Sequence, residues 1–169
     1  MSSKLRYARR MIEPRWLTAA EELAWRRYRR MRTLLDLQLA RDLARDAGLS
    51  ESDYDVLSTL TEAEGHRWRA GDLAVRLLWS SSRLSHHVGR MERRGLVARA
   101  PIGSDKRGAL ITLTTKGLET IGEAAPGHVG SVRRNFIDLL TPEEVDVLAT
   151  IAHKVIGHLG ASAPPRVAP

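Results

Sequence analysis

The chain has 169 residues, with 27 Lys+Arg against 20 Asp+Glu, a formal net charge of +7, 43% hydrophobic residues and no cysteine. This composition is that of a folded core rather than a disordered chain, and its basic excess suits a polyanionic partner without identifying one. It excludes disulfides, thiol redox sensing and cysteine-ligated zinc. No apolar run reaches the roughly 18–20 residues that span a bilayer, so a cytoplasmic protein with no membrane partner is expected.

Residues 1–17 are basic and aperiodic, with Pro14 interrupting any helix, and read as an N-terminal arm. Thr18-Ala-Ala-Glu21 is a capping-box pattern that opens a long helix predicted over 18–48, with Gly48 as its stop. Leu23, Trp25, Tyr28, Met31, Leu35 and Leu43 fill more than one stripe along it, so it must be covered on more than one side. Ser50 caps the next helix, with Leu49 and Tyr54 at staple positions and Val56, Leu57 and Leu60 facing a core. A brief extended segment at 66–69 precedes a short helix at 72–77.

Ser80 is an N-cap flanked by the staple pair Trp79 and Leu84, so a helix is predicted from Ser80 to Arg94, with Gly95 ending it. Leu84, Val88 and Met91 commit one face to a core. The other face carries Ser81, Ser82, Arg83, Ser85, His86, Arg90 and Arg93, side-chain types that reach base edges and phosphates. Strand-like runs at 96–100 and 109–113 follow, with Pro101, Gly103, Ser104, Asp105 and Gly108 supplying the turn between them. The fold class read from this order is mainly α with a small β-hairpin wing, a winged helix-turn-helix. Thr114 caps a long helix whose apolar residues are Leu118, Ile121, Ala125, Val129, Val132, Phe136 and Leu139, with a kink rather than a break expected at Pro126-Gly127. Thr141-Pro142-Glu143-Glu144 opens a broadly apolar last helix, and 161–169 reads as a frayed tail. The terminal helices are too apolar for one winged helix to cover, and association is the economical answer.

G-L-V-x-R at 95–99, D-x-R at 105–107 and L-T-x-x-G at 113–117 occur in one order and spacing. Together they resemble the MarR family of bacterial transcription regulators, from about Leu49 through the C-terminal helices and more loosely over the N-terminal helix. The chain departs from that pattern at the helix-turn-helix corner, where Leu78 replaces the usual glycine and Trp79 a small aliphatic residue. The resemblance implies a DNA-binding domain over 49–113 between dimerisation helices at 18–48 and 114–160. It also implies a homodimer on an inverted repeat of double-stranded DNA, most simply a repressor. On the wing it implies that Asp105 orients the arginines and that Arg107, with Lys106 nearby, enters the minor groove; without the motif Asp105 and Arg107 would be an ordinary turn pair. Release by a small aromatic or phenolic effector is implied too, with Trp25, Tyr28, Arg32 and Tyr54 as pocket residues. For the aromatic three, core packing is the plainer reading, and Arg32 equally suits solvent. A DNA-architectural or adaptor protein controlled by a protein partner is the rival function.

The six histidines, at 66, 86, 87, 128, 153 and 158, lack a spacing that stacks ligands on one face, so they read as surface or DNA-facing groups and no metal or cofactor is expected. No phosphate loop or nucleophile elbow is present, and no enzyme or catalytic residue is expected.

Overall fold

The computed structural model describes residues 15–102 and 105–160, the side chains of 105–107 excepted. The expected arm up to residue 14 and the tail at 161–169 lie outside the described residues. Six helices and three strands are found among them: α1 Ala19–Ala47, α2 Glu51–Thr61, β1 Arg67–Arg69, α3 Ala70–Arg76, α4 Ser81–Arg93, β2 Val97–Ile102, β3 Asp105–Leu113, α5 Thr115–Asn135 and α6 Pro142–His158.

The chain divides into two units at residues 34 and 35. In the first lies the N-terminal part of α1, opened by the expected capping box: Thr18 N–H donates to Glu21 Oε2 at 2.7 Å and Glu21 N–H to Thr18 Oγ1 at 3.3 Å. Here Trp16, Leu17, Leu23, Trp25, Tyr28 and Met31 are all exposed.

The second unit holds the core. Leu43, Leu49, Val56, Leu57, Leu60, Leu73, Leu84, Val88, Met91 and Ile111 are buried together, each such side chain contributing about 1.5–3 kcal/mol. The Ser50 and Asp53 side chains close a capping box at the start of α2, and Thr114 and Thr141 cap α5 and α6 as expected. The extended segment is β1, whose Trp68 sends its indole N–H to the Thr59 carbonyl at 3.2 Å. The strands form an antiparallel sheet in the order β1-β3-β2.

The wing strands run further than the sequence predicts. Pro101 pairs with Ala109 and Ile102 with Asp105, so Pro101, Asp105 and Gly108 sit in strands, and a register irregularity takes up the intervening residues. Proline is tolerated there because β2 is an edge strand and the ladder is already broken.

α5 runs through Pro126 without a break but ends at Asn135, so Phe136 is its cap and Leu139 lies in a separate 3₁₀ turn, Ile137–Leu139. The Asn135 amide donates back to the Ser131 carbonyl at 2.9 Å, a local alternative to continuing the helix. The buried residues of α5 match the expected apolar stripe only in part: Ile121 is buried as expected, together with Gly117, Ala124 and Ser131, whereas Leu118 and Val129 are exposed. Ser131 is buried because it serves a charge. Its hydroxyl donates to Asp42 Oδ2 at 2.6 Å, while Gln38 donates to Oδ1 at 2.9 Å and Arg45 Nη1 lies 2.9 Å from Oδ1. The Ser131 hydroxyl is the main reason the Asp42 carboxyl is held below the ordinary carboxylate range.

Two backbone positions carry sharp steric demands. Leu78 has φ of 55° and is 84% exposed, a left-handed conformation with little side-chain packing in return. Gly117 lies against the wing, where an added Cβ would sit 2.0 Å from the Leu96 carbonyl oxygen. Leu78→Gly should therefore raise stability by about 0.5–1 kcal/mol, the relief of left-handed strain outweighing glycine's extra unfolded-state entropy. Gly117→Ala should cost about 3 kcal/mol or more, since backbone rather than a flexible side chain must move. Urea denaturation of both variants checks the signs, and a G117A as stable as wild type would overturn the close packing of Gly117 on the Leu96 carbonyl.

Candidate nucleic-acid interface

α4 divides cleanly into two faces. Ser80 caps it by accepting the Arg83 N–H at 3.2 Å, and Leu84, His87, Val88 and Met91 are buried. Ser81, Ser82, Arg83, Ser85, His86, Arg90 and Arg93, the seven residues expected to meet DNA, are all exposed. A helix of this width enters the major groove of B-DNA, and its hydroxyls, imidazole and guanidiniums can meet base edges and phosphates.

The corner before α4 is built around Trp79. Its backbone N–H donates to the Ala74 carbonyl at 2.9 Å, and its ring is partly buried against the core. The Arg83 guanidinium lies over that ring, 4.1 Å from the centroid, and His87 meets it edge-on at 5.4 Å. The larger residue at this corner thus gives one recognition-face arginine an aromatic seat.

His87 departs from the expected surface role, being 5% exposed. Arg90 Nη2 lies 2.6 Å from its Nδ1, and Asp53 Oδ1 lies 3.1 Å from its Nε2. Burial is the main cause that lowers its pKa from the ordinary histidine value, against the attraction of Asp53. Its place was visible in the sequence as the position one turn before Met91 on the apolar stripe, but it read with the other histidines as a surface or DNA-facing group.

Two further arginines were missed as structural clamps. Arg94 donates to Asp53 Oδ2 at 2.7 Å and to the Gly48 carbonyl at 3.2 Å. Arg99 donates from β2 to the Ser85 carbonyl at 3.3 Å, with Glu92 3.6 Å away, and so ties the wing to α4. A crevice of about 440 Å³ lies between α3, α4 and the wing strands, lined by Arg69, Asp72, Ser81, Ser85 and Arg99 over Leu84 and Ile111. The side chains of Asp105, Lys106 and Arg107 lie outside the described residues, although their backbone belongs to β3.

Of the residues expected around an effector, Trp25 and Tyr28 stack on one another with centroids 5.8 Å apart, both half-exposed, and Arg32 is exposed. Tyr54 packs on His128 of α5 at 4.2 Å, and burial raises its pKa and lowers that of His128. Among the described residues no three His, Asp or Glu side chains converge to hold a metal ion, and no helix is long and apolar enough to cross a membrane.

Residues 47–108 match the MarR family model. The chain is 45% identical to AbsC, a MarR family transcriptional regulator from Streptomyces coelicolor, over 88% of this chain and 100% of that one, with a TM-score of 0.82. It is 44% identical to Sco3205 from the same organism, whose structure is a complex with DNA, over 85% and 94% of the two chains, with a TM-score of 0.81. The repressor YetL of Bacillus subtilis is 31% identical over 66% of this chain, and the match spans 64% of YetL. With an exposed basic recognition helix, a wing and these relatives, the chain belongs to the MarR family of DNA-binding transcription regulators and is not an enzyme.

Proposed function

We propose that the protein is a repressor that binds an inverted-repeat operator as a homodimer and is released by a small aromatic or phenolic effector. The observation that carries this reading is the division of α4, with seven polar residues exposed on one face and a fully packed face behind them. Recognition then falls to Ser81, Ser82, Arg83, Ser85, His86 and Arg90 in the major groove, with Arg93 on phosphate and Arg107, oriented by Asp105 beside Lys106, in the minor groove. The DNA complex of the 44% identical Sco3205 supports it.

Dimerisation follows from apolar surface. Among the residues of α6 none is buried, and Val147, Ile151, Val155, Ile156 and Leu159 are exposed, as are Leu23, Trp25, Tyr28 and Met31 of α1. Such faces are covered in solution by a second copy, and a two-fold axis presents two recognition helices to two half-sites. The effector rests on the stacked, half-exposed Trp25 and Tyr28 with Arg32 as a carboxylate partner.

Sedimentation should find a dimer at micromolar concentration, and Ile151→Asp or Val155→Asp should yield monomer and abolish tight operator binding. A stable wild-type monomer would sink the architecture. On an operator selected from a random DNA pool, footprinting should show two protected half-sites about one helical turn, roughly 10 base pairs, apart. Ser82→Ala and His86→Ala should change base preference, whereas Arg93→Ala should weaken all sequences alike. Arg107→Ala should reduce the salt slope by about one unit and erase preference for AT-rich flanks. Release of DNA by phenolic acids tests the effector, and loss of that response in Trp25→Ala places it. Protection of single half-sites without sequence preference would favour an architectural protein instead.

A further inference from the structure

We propose that His87 is a positioning residue for DNA recognition: it holds the Arg90 guanidinium at the recognition surface through Nδ1, while Asp53 holds the ring from behind. The inference rests on the reading of Arg90 as a DNA contact. A guanidinium has no acceptor, so at 2.6 Å the Arg90 Nη2 must donate and His87 Nδ1 must offer its lone pair. The ring proton therefore sits on Nε2, which faces Asp53 Oδ1 at 3.1 Å, somewhat off the line of an ideal hydrogen bond. Asp53 itself cannot drift, because Arg94 takes its other oxygen at 2.7 Å. The Trp79 ring closes one side of the imidazole. A chain of fixed groups thus runs from the start of α2 to an exposed arginine of α4, and it removes rotamer freedom that Arg90 would otherwise lose on binding DNA. Arg90 spends one of five N–H donors on His87 and keeps four for a base or phosphate.

The arrangement has a protonation consequence. The second proton can enter only at Nδ1, where it would turn an acceptor into a donor facing a donor, and place one cation against another. The charged groups around the ring are Asp53 and Asp55 from α2, and Arg83, Arg90 and Arg94 from α4 and its cap. Burial and the nearby arginines disfavour the imidazolium and Asp53 favours it, with a net fall below the ordinary value of 6.5. His87 is therefore neutral and Arg90 held at neutral pH, and the hold is lost as pH falls below the usual histidine range.

The test measures operator affinity by fluorescence anisotropy between about pH 5 and 8, using full-length wild type, His87→Asn, His87→Gln and Arg90→Ala, with circular dichroism to confirm folding. H87N keeps an acceptor near the place of Nδ1 and cannot titrate. It should bind within about threefold of wild type at pH 8 and lack the acid loss, whereas H87Q and R90A should each bind about tenfold more weakly there, the loss expected for one charge-assisted hydrogen bond. R90A should also lose the His87-dependent part of the pH profile. An H87N profile that parallels wild type overturns the inference, as does tighter binding by the His87 variants, which would mean that the contact sequesters Arg90. If H87N fails to fold, R90A decides alone: wild-type affinity and acid response in that exposed-residue variant refute the role of His87. Failure of the underlying reading looks different, since then wild type itself selects no DNA sequence at any pH.

Discussion

One carboxylate joins α2 to the helix proposed to read DNA. Asp53 is 5% exposed, accepts the Ser50 N–H at 3.0 Å, pairs with Arg94 at 2.7 Å and faces His87 at 3.1 Å. Burial is the strongest single influence and raises its pKa, but the Arg94 and Ser50 hydrogen bonds and the Arg94 charge together outweigh it, and the net direction is downward. Its contribution to stability is accordingly present above the ordinary carboxylate pKa of about 3.8 and is lost as pH falls through the lower folded value. A buried charge is tolerated only when paired and hydrogen-bonded, and here the pairing does positional work. It fixes the C-terminal end of α4 to the α1–α2 turn through Arg94 and Gly48, and the middle of α4 through His87.

A second joint sets the wing. The Thr114 hydroxyl donates to the carbonyl of Gly95 at 2.7 Å and accepts the Gly117 N–H at 2.9 Å, while Lys116 Nζ donates to the Arg94 carbonyl at 2.9 Å. G-L-V-x-R and L-T-x-x-G are thus two halves of one contact. The threonine side chain reaches the turn after α4, and glycine is needed because any Cβ at 117 would enter the Leu96 carbonyl. Arg99, the last residue of the first motif, then reaches back to the Ser85 carbonyl and ties the wing to α4.

The division of α4 into faces was legible because a 3.6-residue period with one clear apolar stripe leaves few alternatives, and the caps at Ser50, Ser80, Thr114 and Thr141 were legible because each satisfies orphan N–H groups within a few residues. His87 was misread because histidine's polarity says nothing of whether a partner waits on another helix. The same holds for Asp42 and Ser131, which are 89 residues apart in sequence. On α5 the apolar stripe pointed to Leu118 and Val129 as well as Ile121, yet only Ile121 of these three is buried, while Gly117 is inside because it meets the Leu96 carbonyl and Ser131 because it meets Asp42.

The amino-acid sequence by itself determined the order of helices and strands, the cap at nearly every helix start, the exposed polar face of α4 and the family, because all of these depend on local spacing or short motifs. Tertiary structure alone decided which polar groups are inside and what they hold. Asp53 meets Arg94 and His87, Asp42 meets Ser131, and Arg99 meets α4 only once the chain has folded. A buried charge is stabilised by partners brought from distant turns, and no local pattern encodes which distant donor will be the one that arrives.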